Sequence, residues 1–124
     1  MGWEKDFDQP IDPICVERAL RTVAPNVGRT TWIDDQNDSR GFPRGTEVTQ
    51  FIYSDPTFIG SYQLNLGRLP NGKTHYDHEW GKLGTDIPAD EMTKVLPLLN
   101  RANDAVAKMC NLSFEGTEPR QGRG

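Results

Sequence analysis

The sequence predicts an α+β fold, an antiparallel meander sheet of about four strands with N- and C-terminal helices packed on one face. Three observations predict it. Amphipathic helical repeats lie near both ends of the chain, segments rich in β-branched and aromatic residues lie between them, and the strongest turn signal joins two alternating segments. Helices and a sheet that each have one apolar face bury those faces by packing together, which gives an α-β-β-β-β-α two-layer sandwich.

The length and composition indicate one small domain. The chain has 124 residues, a net charge of −4 and a mean hydropathy of −0.69. We predict a flexible N-terminus over residues 1–11, a single domain over 12–114 and a disordered, charged tail over 115–124. Because no basic block alternates with aromatic residues and no run of about 18 apolar residues occurs, we expect neither nucleic-acid binding nor a membrane span.

The first helix is indicated by its N-terminal signal and its apolar spacing. Asp12 is a favourable N-cap, and Pro13 suits the first helical position because an N–H there would have no helical partner. The apolar positions then recur at helical spacing, as Val16, Ala19, Leu20 and Val23. Pro25 and Gly28 end the predicted helix.

Two segments after this helix predict strands, and a long polar loop separates them. Residues 29–33, RTTWI, and 47–53, EVTQFIY, are rich in β-branched and aromatic side chains. The loop over 34–46, DDQNDSRGFPRGT, has no apolar periodicity, and loops of this length in small domains are usually functional or disordered. An EF-hand calcium site does not fit, because Arg40 and Thr46 stand where its glycine and glutamate are required.

The segment over 61–80, SYQLNLGRLPNGKTHYDHEW, predicts a β-hairpin whose register follows from its turn. A loop of Asn71-Gly72 alone would place apolar and charged side chains on the same face. A three-residue loop, Pro70-Asn71-Gly72, separates them, as a half-buried antiparallel sheet requires. This second register pairs Leu69 with Lys73, Leu66 with Tyr76, Leu64 with His78, and Tyr62 with Trp80.

The same register creates a second face of the hairpin, called the polar face below. It carries Gln63, Asn65, His75, Asp77 and Glu79. His78 points to the apolar face instead, so the two histidines of the chain cannot bind one ion from this strand. A zinc site would need further nitrogen or sulfur ligands, and the chain has no third histidine, so we expect no metal and no cofactor.

An apolar stripe predicts the C-terminal helix. Residues 85–88, TDIP, form its start, and Asp90 and Glu91 follow in the first turn, where the helix dipole favours acidic side chains. The stripe consists of Met92, Val95, Leu99, Ala102, Val106 and Met109. Pro97 removes one backbone hydrogen bond, so we expect a kink or a break there.

Cys15 and Cys110 lie beside the apolar stripes of the two predicted helices. They are either two buried thiols or a disulfide that ties the first helix to the last. A disulfide would fit the periplasm or the secreted space, whereas free thiols would fit the cytoplasm.

We interpret the chain as a small non-catalytic binding protein, of the inhibitor or immunity type, with a protein partner. It would bind through the polar face and the 34–46 loop, and its acidic charge would favour a basic partner. The predicted contact residues are Gln63, Asn65, His75, Asp77, Glu79, Asp34, Asp35 and Arg40.

Two alternatives stay open. A small enzyme would use His75 with Asp77 or Glu79 as acid–base groups, and Gly67, opposite His75, would leave room for a ligand. A homo-oligomeric subunit would assemble through aromatic residues in the loops and termini. We assign no catalytic residue, because the sequence offers no nucleophile motif and no Gly-rich phosphate loop.

Overall fold

The computed structural model describes residues 2–35, 42–54, 61–81 and 89–114, and within them it contains five strands and two helices. In chain order the elements are β1 (Gly2–Phe7), α1 (Pro13–Arg21), β2 (Val27–Asp34), β3 (Thr46–Tyr53), β4 (Ser61–Arg68), β5 (Thr74–Gly81) and α2 (Ala89–Cys110). The strands form one sheet in the order β1-β5-β4-β3-β2, and every neighbouring pair is antiparallel. The predicted α+β class with an antiparallel sheet is therefore confirmed.

The sheet has five strands rather than about four. The additional strand is β1, which lies within the segment expected to be flexible and pairs with β5 along its whole length. Its sequence, GWEKDF, gives no clear strand signal, because three charged residues follow one another at Glu4, Lys5 and Asp6. The Phe7 ring packs edge-on against Tyr76 and Phe114, with centroids 6.1 and 5.5 Å apart.

The hairpin of β4 and β5 has the predicted register. Leu66 pairs with Tyr76, Leu64 with His78, and Tyr62 with Trp80. The N–H of Leu69 donates to the carbonyl of Lys73 at 2.9 Å, which closes the three-residue loop. Gly72 has φ +88°, the left-handed conformation that glycine adopts without steric cost.

The start of α1 follows the sequence prediction, whereas the course of α2 differs from it. The Asp12 carboxylate accepts a hydrogen bond from the Ile14 N–H at 3.0 Å, so this residue caps α1 as predicted. Helix α2 continues through Pro97 without a break, although we expected a kink or a break, and Pro97 itself is exposed. Within the described ranges, neither helix combines the length and the apolarity that a membrane span requires.

The main core joins both helices to one face of the sheet. Its fully buried members include Val16, Leu20, Phe51, Tyr53, Tyr62, Leu64, Tyr76, Leu99, Ala102 and Val106. Met109 was predicted to belong to the stripe of α2 but is 46% exposed, because the buried side of this helix runs over Leu98, Leu99, Ala102, Asn103 and Val106. The side chains of Met92 and Val95 lie outside the described residues. Phe42 and Val48 are also buried, but they lie outside this cluster, on the opposite face of the sheet.

Candidate functional site

Most acidic residues of the strands lie on one face of the sheet, and the basic ones lie on the other. The register places Glu4, Asp6, Asp34, Asp77 and Glu79 on the polar face, and Lys5, Arg29, Glu47 and Arg68 on the core face. Among the described strand residues, the polar face thus carries acidic side chains and His75, but no lysine or arginine. Carboxylates grouped on one face of a sheet contribute a negative potential that attracts basic ligands.

The centre of the polar face is more buried than the sequence suggested. Asn65 is 1% exposed and Asp77 is 5% exposed, whereas Gln63, His75 and Glu79 are half-buried. The Gln50 side-chain amide donates to the Asn65 carbonyl oxygen at 2.9 Å, while the buried Asn65 Nδ2 has no hydrogen-bond partner. Of the predicted contact residues on β4 and β5, Gln63, His75 and Glu79 are therefore the accessible ones.

His75 is held between two carboxylates of β1. Its Nδ1 donates to Asp6 Oδ1 at 2.5 Å, and its Nε2 lies 3.6 Å from Glu4 Oε2. Sequence reasoning missed both acidic residues, because it treated residues 1–11 as a flexible segment rather than a strand. Once these residues are known to form a strand, the spacing of Glu4 and Asp6 puts both carboxylates on the same side of it.

The space beside His75 is occupied by Phe42. A Cβ atom added to Gly67 would lie 2.5 Å from Phe42 Cε1, so the ring fills the gap that the glycine leaves. The Phe42 and His75 rings meet edge to face, with centroids 5.6 Å apart and planes at 77°. The sequence predicted that Gly67 would leave room for a ligand, and this expectation is wrong because the loop returns Phe42 onto the sheet.

The loop over 34–46 is anchored at both of its described ends. The Gly45 N–H donates to the Asp34 carbonyl at 2.5 Å, and the Thr46 hydroxyl donates to the Pro43 carbonyl at 2.6 Å. Asp34 is buried at the end of β2, whereas Asp35 is exposed. Arg40, the third predicted contact residue of this loop, lies outside the described residues.

A second polar group lies in the core, on the opposite side of the sheet. Asn103 Oδ1 accepts from the Tyr76 hydroxyl at 2.7 Å and from His78 Nδ1 at 3.0 Å. His78 Nε2 then lacks a proton and accepts from the Tyr53 hydroxyl at 2.6 Å. These four side chains link β3 and β5 to α2.

Burial determines the charge state of this core network. It lowers the pKa of His78 to about 4, and the hydrogen bond to Asn103 opposes the shift. Burial also raises the pKa of Tyr53 and Tyr76 far above the ordinary value for tyrosine. The network is therefore neutral at pH 7, and His78 stays a structural hydrogen-bonding group within the core.

Cys15 and Cys110 form a disulfide between the first helix and the last, with their Cα atoms 5.9 Å apart. Of the two possibilities that the sequence left open, the structure has the bridge. It joins the N-terminal turn of α1 to the last residue of α2. The two helices that cover the core face of the sheet are thus covalently linked.

No protein family model matches the chain, and no curated protein matches it. Function must therefore be argued from the site. Among the described residues, no three His, Cys, Asp or Glu side chains are grouped so that they could hold a metal ion.

Proposed function

We propose that this chain is a small non-catalytic binding protein, of the inhibitor or immunity type, that uses the polar face and the 34–46 loop to bind a basic surface of another protein. The observation that carries the proposal is the grouping of acidic side chains on one face of the sheet. The described strand residues of the polar face carry five carboxylates and no lysine or arginine. A basic partner would be attracted to this face before contact.

The accessible part of the proposed surface lies on β1 and β5. The Asp6 side chain is 62% exposed, and Glu4, His75 and Glu79 are half-buried around it. Asp77 and Asn65 lie beneath them and are buried, so they support the surface rather than form its outer contacts. Because these groups project from a paired sheet, little backbone conformational entropy is lost when a partner binds them.

Affinity capture from an extract of the native source, under non-reducing conditions, tests the proposal. The bait variants are Asp6→Lys and Glu79→Lys on the polar face, with Asp104→Lys on the exposed side of α2 as the matched control. A protein captured by the wild type and the control but lost from both face variants supports the proposal. Its association rate should also fall steeply as salt is added. Equal capture by all four baits would contradict the proposed surface.

The contact between His75 and Asp6 favours a second candidate, a small enzyme. A carboxylate that holds one imidazole nitrogen orients the other for acid–base chemistry. The predicted partners of His75 were Asp77 and Glu79, yet the carboxylates in contact with it are those of Asp6 and Glu4. Turnover of a panel of esters, phosphate esters and glycosides by the wild type, abolished by His75→Gln, would favour the enzyme over the binding protein.

The disulfide supports a proposed location in an oxidising compartment, the periplasm or the secreted space. Proteins that act on partners outside the reducing cytoplasm commonly carry such a bridge. Fractionation followed by thiol alkylation of the native protein tests this. Two alkylated cysteines in the native material would contradict the location.

A further inference from the structure

The two edges of the sheet differ in how they are protected against pairing. Sheet edges are usually blocked by charged side chains, prolines or bulges, because an open edge recruits further strands. The edge strand β1 carries Glu4, Lys5 and Asp6 in succession. The other edge strand, β2, has the sequence VGRTTWID, with one basic residue in its central part.

Strand β2 offers a long and regular edge. All eight of its residues pair with β3 in unbroken register, so no bulge twists the strand away from a neighbour. Gly28, Arg29, Thr30 and Thr31 are exposed, and Ile33 is 56% exposed. The charge of Arg29 is compensated within the chain, since Nη1 lies 2.9 Å from Glu17 Oε1. The edge therefore combines high strand propensity with little repulsion toward a neighbouring strand.

A notch lies on the polar-face side of this edge. Gly28 pairs with Ile52, and a Cβ atom at position 28 would meet nothing closer than the Ile52 carbonyl at 3.9 Å. The missing side chain leaves Ile52 42% exposed, although this residue lies on an inner strand. Trp32 projects on the same side of β2, four residues further along.

We propose that β2 pairs antiparallel with β2 of a second copy of this chain, around a two-fold axis at Thr30. In an isologous interface of this kind, residues that face each other lie on the same side of the joined sheet. With Thr30 opposite itself, Gly28 faces Trp32 and Val27 faces Ile33. Each indole then covers the notch of the other copy and reaches its Ile52. No charged residue of β2 lies opposite the same residue of the other copy.

This register is preferred to the one centred on Thr31. That alternative would place the buried Asp34 opposite Gly28 and Arg29 opposite Ile33, which leaves the notch unfilled and pairs a charge with an apolar group. The partner at this edge is a second copy, because both the notch and the indole that fills it are on β2. The inference does not depend on the proposed binding function.

Sedimentation equilibrium over a range of protein concentrations measures the assembly directly. We expect a monomer–dimer equilibrium for the wild type. Thr30→Lys puts two ammonium groups opposite each other at the axis and should weaken the dimer several-fold. Asn100→Lys, on the exposed side of α2, adds the same charge elsewhere and should leave the dimer unchanged. Both exposed positions should tolerate lysine, which circular dichroism checks.

Disulfide cross-linking tests the register. Thr30→Cys brings two thiols to facing positions, where Cβ atoms are about 5 Å apart, and should yield a covalent dimer under mild oxidation. In Thr31→Cys the two thiols are diagonal neighbours about 7–8 Å apart, so cross-linking should be several-fold slower. A wild-type chain that remains monomeric at all concentrations, a dimer unaffected by Thr30→Lys, or faster cross-linking at position 31 would overturn the proposal.

Discussion

The ring of Phe42 occupies the place where a side chain at position 67 would project. This relationship ties the 34–46 loop to the polar face of the sheet, since a Cβ atom on Gly67 would lie 2.5 Å from the ring. The ring also contacts His75, so three segments of the chain meet at one point.

Gly67→Ala should destabilise the protein by about 1–3 kcal/mol, because the added methyl group overpacks the contact with Phe42. Gly28→Ala, measured at concentrations where the chain is monomeric, is the matched control, since the same atom there meets only open space and one carbonyl at 3.9 Å. Urea unfolding of both variants provides the measurement. If Gly67→Ala costs no more stability than Gly28→Ala, then Phe42 moves aside without cost.

The free energy of unfolding should fall as the pH is lowered from 6.5 toward 4. The pKa of His78 is lowered to about 4 in the folded protein, whereas the unfolded chain has the ordinary value near 6.5. Between these values the unfolded state binds more protons, so acid favours unfolding by up to about 1.4 kcal/mol per pH unit.

An NMR titration of the His78 imidazole ring measures this pKa without interference from carboxylates. The His78 resonance should move only near pH 4, close to the acid limit of stability. A His78 midpoint near 6.5 would contradict the buried, neutral network.

Asn103→Ala should cost about 3 kcal/mol. The change removes the acceptor of both Tyr76 and His78, and each buried donor left without a partner costs about 1–3 kcal/mol. Asn100→Ala, on the exposed side of the same helix, should change stability by less than about 0.5 kcal/mol. Guanidinium unfolding compares the two. A loss of equal size at both positions would show that the amide network contributes nothing specific.

Reduction of the bridge between Cys15 and Cys110 should lower the stability by roughly 4–5 kcal/mol if loop-closure entropy in the unfolded chain is its source. Thermal unfolding with and without dithiothreitol gives the difference. The double variant Cys15→Ser/Cys110→Ser should unfold like the reduced wild type and should not respond to the reductant. A reduced protein as stable as the oxidised one would contradict the entropic account.

The parts of the fold that were predictable from the sequence are those in which local signals agree. The turn at Pro70-Asn71-Gly72 and the alternation on either side of it specify the same register, and the structure has that register. The cap at Asp12 and the apolar spacing after it specify α1 in the same way. The contacts that define these elements join residues close together in the sequence, so a short segment is enough to predict them.

Strand β1 and the position of Phe42 could not be predicted by the same reasoning. Phe7 pairs with Thr74, far along the chain, and nothing local to residues 2–7 indicates which strand will accept them. Phe42 lies in a polar loop, where its burial depends on the gap at Gly67. The carboxylates that hold His75 were missed because they belong to β1.

The sheet order has a consequence for the sequence of events during synthesis. Strands β2 to β5 follow one another as neighbours, so each can pair as soon as it leaves the ribosome. Strand β1 emerges first, yet its partner β5 is the last strand to be made, so its edge must wait while the rest of the sheet forms. The charges on β1 would then keep this segment soluble and unpaired until the β4–β5 hairpin is complete.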